Sequence, residues 1–372
     1  MSETKFKFHP VGQGCFYTGE FTLKKSNNQN PTYFHFVYDC GSNSNSKYIK
    51  NEINKFTKTI KSGKLDLLII SHFDSDHANH IDYLLNKINC EKVIIPYVST
   101  IERLFLYFKS ESRDNEYLNF LRDPIQFLLD KGVEQIIVIT NEGSMIDLND
   151  NIDFDDFNTN DDFQPIFNGI FHISENRSII ISKMTSIIDQ ILLDKVLVLK
   201  QNSLLYICKI WEFKFYCREI TQKKLNNFQS SISDLIGIPY DDIKNDNLVA
   251  LFKKAKNSEI KKTYKKLYNN INSTSLNVYH SPINKFQENI NTCYIYNNIG
   301  CFPKRYFLMK KKNGTLLTGD IDLLKKHNYD KFEKYFYVEL DSVSFLQVPH
   351  HGSKNNWHFG KTAKIRNSIF YL

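Results

Sequence analysis

The segment His72-Phe73-Asp74-Ser75-Asp76-His77 places four potential metal ligands within six residues, directly after the apolar run Leu65-Asp66-Leu67-Leu68-Ile69-Ile70-Ser71. Imidazole and carboxylate are the donors that zinc, manganese and similar divalent ions take, and packing seldom needs them at the end of a buried strand. A strand projects successive side chains to opposite sides, so His72 and Asp74 share a side, and a following turn can swing Asp76 and His77 toward the same cavity. That geometry suits two adjacent metals. The plainer reading is a polar turn in which Asp74 or Ser75 caps a helix running through Ala78 to Leu85. Capping accounts for one or two of these residues and leaves both histidines and the second Asp unexplained.

Two later places offer further donors. Asp320 follows the apolar pair Leu316-Leu317, and the adjacent His350 and His351 follow Phe345-Leu346-Gln347-Val348-Pro349. One of the two histidines reads as a ligand and the other as a substrate or supporting residue; the sequence does not say which. The 7 cysteines are scattered, odd in number and contain no C-x-x-C pair, so neither a disulfide framework nor a thiolate zinc site is expected. Metal binding must rest on imidazole and carboxylate.

The elements that would position these residues alternate as in an α/β protein. Residues 16–23 and 33–39 alternate like the strands of a hairpin, 46–58 reads as a helix, and 93–96 as a buried strand. Residues 101–132 carry helical periodicity through Leu104, Phe108, Leu118, Leu121 and Phe127, and 135–139 form a further short strand. Residues 203–220 look like two short strands containing Trp211, and 246–269 like a basic helical segment.

Five other segments flank the ligand-rich one in a fixed order: Pro10-Val11-Gly12-Gln13-Gly14, Val37-Tyr38-Asp39-Cys40-Gly41-Ser42, Asn272-Ser273-Thr274-Ser275-Leu276, Leu316-Leu317-Thr318-Gly319-Asp320 and Val348-Pro349-His350-His351-Gly352-Ser353. Together they resemble the ordered motifs of the metallo-β-lactamase superfamily, in the ComEC/Rec2-like branch where the third position of the first motif is Asp. The resemblance implies a single domain over 1–372 built as a four-layer αββα sandwich, with a large middle elaboration at about 145–270. It implies two divalent metals, zinc or manganese, about 3.5–4 Å apart. Their ligands would be His72, Asp74, Asp76, His77, Asp320 and His350, with Asp320 bridging, Asp39 orienting the metal-binding loop, and Asp76 and His351 serving catalysis.

The chain departs from that pattern twice. Where many relatives carry another ligand histidine, segment 272–275 reads Asn-Ser-Thr-Ser, which leaves one metal with fewer protein ligands and tilts preference toward manganese. After the second histidine pair only His358 follows before Phe370-Tyr371-Leu372. The final strand is therefore expected either to tuck into its own sheet or to leave the site dependent on a partner or a homodimer.

A net charge of +7 favours an anionic partner, through short runs such as Lys253-Lys254-Ala255-Lys256 and Lys310-Lys311-Lys312, while residues 147–162 are acidic. With the resemblance, this points to a nuclease or phosphodiesterase acting on nucleic acid or nucleotide, in preference to a small-molecule ester hydrolase or a metal-bound scaffold. Stand-alone relatives accompany bacterial anti-phage NTPases, so an NTPase partner is a further expectation. No apolar run is long enough to span a bilayer and the start Met1-Ser2-Glu3-Thr4-Lys5 lacks a signal-peptide core, so a cytoplasmic chain is expected.

Overall fold

The computed structural model describes residues 2–23, 30–109, 115–142, 167–187, 189–207, 210–218, 275–283, 290–296, 305–309, 314–357 and 370–371, with scattered positions between 226 and 262. It is a mixed α/β protein with two mixed sheets. The strands of the first half are β1 (Ser2–Phe8), β2 (Gly14–Leu23), β3 (Thr32–Ser42), β4 (Leu65–Ile69), β5 (Cys90–Pro96) and β6 (Gln135–Thr140). Next come β7 (Phe167–Ile170), β8 (Val196–Lys200), β9 (Leu204–Ile207) and β10 (Trp211–Tyr216). The last are β11 (Asn277–Pro282), β12 (Ile290–Tyr296), β13 (Arg305–Met309), β14 (Gly314–Leu317), β15 (Val343–Leu346) and β16 (Phe370–Tyr371). One sheet runs β13-β12-β1-β2-β3-β4-β5-β6-β8 and the other β16-β15-β14-β11-β10-β9-β7.

Strands β3, β4, β5, β6 and β8 pair in parallel, and β4 is buried along its whole length, as expected of a parallel strand covered on both faces. The helix Ser46–Thr57 begins where the Asn45 side chain accepts from Lys47 N, and its residues Ile49, Ile53 and Phe56 recur at helical spacing to bury one face. The periodicity over 101–132 resolves into three helices, Thr100–Lys109, Asn115–Arg122 and Pro124–Asp130, the third with Pro at its start and Asp123 accepting from Gln126 N.

Among the described residues three large apolar cores result, with a small fourth cluster of Leu204, Tyr206 and Ile283. The first packs the helices against residues such as Leu68, Val93 and Val138 of the first sheet. The second joins both sheets, with Phe6, Tyr17, Phe36 and Leu67 facing Trp211, Phe213, Val278 and Leu317. The third lies between the second sheet and the helix Lys326–Tyr335, through Tyr216, Leu316, Phe332 and Phe336.

Within the elaboration expected at about 145–270, residues 167–216 supply strands to both sheets. Strand β8 closes one side of the first sheet against β6, and β9 and β10 sit inside the second, with Trp211 fully buried. Ordinary β-strand patterning marks these strands no differently from the rest. The acidic stretch 147–162, most of the basic segment 246–269, both lysine runs and His358 lie outside the described residues. At the other end, β16 pairs in parallel with Phe345 and Leu346 of its own sheet, which is the self-contained alternative for the tail. Among the described residues no helix is long and apolar enough to cross a membrane. Cys15, Cys40, Cys90 and Cys217 are buried free thiols.

A buried histidine in the shared core makes stability depend on pH. His280 Nδ1 accepts from Trp211 Nε1 at 3.2 Å and its Nε2 lies 3.1 Å from the Tyr17 hydroxyl, with the rings of Phe6, Phe36 and Phe213 around it. Burial pushes its pKa down to about 3, so the folded state refuses a proton that the unfolded chain accepts near 6.5. The contribution is complete above pH 6.5 and is lost as pH falls toward 3, at roughly 1.4 kcal/mol per pH unit. His9, lowered to about 4 chiefly by burial beside Glu52 and Lys7, acts in the same direction. His35, also lowered to about 4 by burial, is offset by its neighbour Asp66, raised to about 6 by burial. Between pH 7.5 and pH 5 each of His280 and His9 should therefore cost about 2 kcal/mol of stability in chelator, while His77, whose pKa the fold raises, contributes in the opposite direction. An NMR titration of the chelated protein separates them: imidazole signals of His280 and His9 that titrate near 6.5 in the folded state would mean that these imidazoles are charged in the fold.

Candidate metal centre

The candidate ligand loops leave the ends of two parallel strand pairs, β3 with β4 and β14 with β15, and meet where His72 and His77 face Asp320 and His351 faces Asp76; beside them Leu276 N, just before β11, donates to Ser71 O at 2.7 Å. After β4 the chain forms a single helical turn, Ser75–Ala78, for which Asp74 is the N-cap by position but makes no capping hydrogen bond with its side chain. The capping alternative therefore lacks its bond. Gly14 and Gly41 let the backbone run against this turn: a Cβ on Gly14 would stand 2.8 Å from Asp76 O, and one on Gly41 would overlap the His77 backbone. On the other side, Asp320 N donates to Ser275 Oγ at 3.0 Å, which gives the Ser275-Leu276 segment a role; Asn272, Ser273 and Thr274 lie outside the described residues.

Proton ordering at the centre starts from Asp39. This buried residue has a left-handed backbone, φ 58°, and its carboxylate accepts from Ser71 N at 2.6 Å, from Ser71 Oγ at 2.7 Å and from His77 Nδ1 at 2.7 Å. Because the Ser71 hydroxyl gives its proton to Asp39, its oxygen accepts from His72 Nδ1 at 2.8 Å. Both rings thus carry hydrogen on Nδ1 and turn Nε2 inward. His72 Nε2 lies 3.5 Å from Asp320 Oδ2 and His77 Nε2 3.3 Å from Asp320 Oδ1. Both Nε2 atoms are buried without a hydrogen-bond partner.

Such inward, unsatisfied imidazole nitrogens fit a cation, and the donor set agrees. His72, Asp74 and Asp320 form one group, and Asp76, His77, Asp320 and His351 another, with donor atoms in each lying within 4.8 Å of one another. With the protein groups alone, burial of His77 is outweighed by Asp39 and Asp320, which hold its pKa well above the ordinary value. Asp320 is the reverse: burial is outweighed by His77 and His72, and its pKa falls well below the carboxylate range. A cation binding here would displace the extra His77 proton. A third grouping, Cys15, Asp39 and His77, is of a different kind. Asp39 and His77 Nδ1 already bond each other, and burial, followed by Asp39 and Asp320, pushes the Cys15 thiol up so that it keeps its proton.

The six other candidate site residues named from the sequence, His72, Asp74, Asp76, His77, His350 and His351, converge on Asp320. His351, expected in catalysis, falls inside the second group, its Nε2 3.3 Å from Asp76 Oδ2. His350, expected as a ligand, lies outside both groups, with Nε2 3.7 Å from Asp320 Oδ2 and Nδ1 3.1 Å from Asn356 Oδ1. Sequence reasoning missed Ser71, Asn356 and Tyr117. The Tyr117 hydroxyl donates to Phe73 O at 2.8 Å, and the Phe73 ring packs 4.7 Å from that of Phe120, so the helix Asn115–Arg122 pins the middle of the ligand loop. No signal marks Tyr117 or Asn356 in the sequence. No protein-family model matches the chain, and no curated protein matches it significantly.

Proposed function

We propose that this chain is a binuclear metal-dependent hydrolase with the αββα metallo-β-lactamase architecture, of the ComEC/Rec2-like branch, cleaving phosphodiesters of nucleic acid or nucleotide. The observation that carries the reading is Asp320, 1% exposed, whose two carboxylate oxygens each face the inward Nε2 of a different histidine where the two ligand groups meet. The architecture is supported by a core shared between the two sheets and by separate cores beneath helices on each outer side.

His72 and Asp74 would hold one ion, Asp76, His77 and His351 the other, and Asp320 both. Two such ions supply Lewis acidity toward a phosphoryl oxygen and activate water at neutral pH. The protein's own part is to aim and to hold charge. Asp76 is kept ionised, its pKa at about 2, because the hydrogen bond from His351 and the charge of His77 outweigh burial. It therefore serves as a ligand and not as a proton donor. The His351 side chain is 30% exposed and meets whatever enters the site. A carboxylate-rich donor set suits manganese as well as zinc, and the net charge of +7 favours an anionic substrate.

Elemental analysis after reconstitution should find close to two ions per chain, and the loaded protein should cleave bis(p-nitrophenyl) phosphate together with DNA or RNA. Absence of metal above background in a folded protein would end this reading. Ions bound without turnover of any phosphodiester or ester would favour a metal-bound recognition scaffold, and turnover of carboxylic esters alone a small-molecule hydrolase.

A further inference from the structure

The two adjacent histidines are placed too differently to be one ligand and one spare. Both have a left-handed backbone, each with φ 52°, in the turn Pro349–Gly352. Two successive non-glycine residues in that region cost on the order of 1–2 kcal/mol each, and such strain persists where the surroundings enforce it for a purpose. Its effect here is to splay the rings, which stand 73° apart in plane with centroids separated by 6.2 Å. His351 reaches Asp76 in the second ligand group, while His350 Nε2 faces Asp320 Oδ2, the same oxygen that His72 Nε2 faces.

Asn356 explains the orientation of His350. It is fully buried, and its Nδ2 donates to Asp320 O at 3.0 Å. An amide whose nitrogen is committed in this way presents its oxygen to His350 Nδ1, 3.1 Å away, so that Nδ1 carries the hydrogen and the Nε2 lone pair points at Asp320. His72 and His77 have the same arrangement, with Ser71 and Asp39 in the role of Asn356. Three imidazoles thus turn Nε2 toward a single carboxylate.

Resting on the binuclear reading above, the geometry points to a split pair: His350 is the further protein ligand of the His72, Asp74 and Asp320 group, and His351 that of the Asp76, His77 and Asp320 group. Asn356 is a positioning residue for His350. The split restores an imidazole to the group that segment 272–275 leaves short, and makes that group accept zinc as readily as manganese.

The test measures metal affinity by chelator competition, with no reference to turnover. His72→Ala should leave the protein with the second ion only, and His77→Ala with the first only. Adding His350→Asn to His77→Ala should weaken the remaining ion at least about tenfold, and adding it to His72→Ala should leave affinity within about twofold. His351→Asn should do the reverse. Asparagine tolerates the left-handed backbone, so the turn is retained, and a metal-free thermal melt checks this. Should a turn variant not fold, the cobalt-loaded native protein is read by NMR, where contact-shifted N–H signals from His72, His77, His350 and His351 are all expected. Loss of the His350 signal, or both turn variants weakening the same ion, overturns the split while leaving two bound ions in place. Failure of the native protein to bind any metal would overturn the binuclear reading itself.

Discussion

Asp320→Asn is expected to empty both ligand groups at once and to lower phosphodiester turnover by at least about a thousandfold, while the metal-free protein still unfolds in one cooperative transition. The substitution keeps shape and volume but replaces one oxygen with an NH2 and removes the negative charge. Asp320 Oδ1 faces His77 and Oδ2 faces His72, so no rotation of an amide can serve both groups. The backbone bonds that hold the residue, Asp320 N to Ser275 Oγ and Asn356 Nδ2 to Asp320 O, survive the change, which is why folding should too. Asp74→Asn is the informative companion, because Asp74 belongs to the first group only. Elemental analysis should then read two ions in the native protein, one in Asp74→Asn and none in Asp320→Asn. An Asp320→Asn protein that keeps one ion tightly would show that the groups do not share this carboxylate.

Much of the candidate site was legible in the sequence because its imidazoles and carboxylates are chemically conspicuous and clustered. His72, Asp74, Asp76 and His77 stand out against a buried strand, and the fold gathers them with Asp320 and His351 into two groups of possible metal donors that share Asp320. The residues that orient them were legible only in part. Asp39 could be picked out by its motif, whereas Ser71 is an ordinary strand-end serine until its hydroxyl is seen between Asp39 and His72. Asn356 is hidden for another reason: its bonds run to His350 and to a backbone carbonyl 36 residues away, and neither contact leaves a periodic or compositional trace. Nor could spacing separate His350 from His351, since their divergence comes from left-handed dihedrals that a His-His pair does not announce.

The fold shows the same division. Hairpin β2-β3, the helix after Asn45 and the helical run before β6 follow from local alternation and periodicity. What local pattern cannot state is which sheet a strand joins. Strands β8, β9 and β10 look alike as short apolar runs, yet β8 extends the parallel side of one sheet and the other two lie in the antiparallel part of its neighbour. That choice is made by long-range pairing, of Trp211–Tyr216 with Asn277–Pro282 for instance, and by the burial of Trp211 against Phe6 and Phe21.

Asp39→Ala is expected to destabilise the metal-free protein by about 3–5 kcal/mol, the largest single effect on folding at this centre. Removing the carboxylate strands the Ser71 N–H and the His77 Nδ1–H in a fully buried place and leaves alanine on a left-handed backbone. Asp39→Asn separates that cost from the ordering of protons. Asparagine accepts the left-handed dihedrals and still offers one oxygen, but Asp39 Oδ1 serves the Ser71 N–H while Oδ2 serves both the Ser71 hydroxyl and His77 Nδ1, so the NH2 must take the place of one of those two oxygens. The Ser71 N–H can only donate and keeps the oxygen, so the NH2 meets the other two: hydrogen on His77 moves to Nε2 and its inward lone pair is lost, and the Ser71 hydroxyl turns so that His72 Nδ1 no longer has its acceptor. Metal affinity should therefore fall about 10–100-fold in Asp39→Asn, with a stability loss clearly smaller than in Asp39→Ala. Urea unfolding in chelator gives the first quantity and metal titration the second. Native affinity in Asp39→Asn would show that the tautomers of His72 and His77 are set by something other than this carboxylate. A native midpoint in Asp39→Ala would show that its buried hydrogen bonds hold nothing.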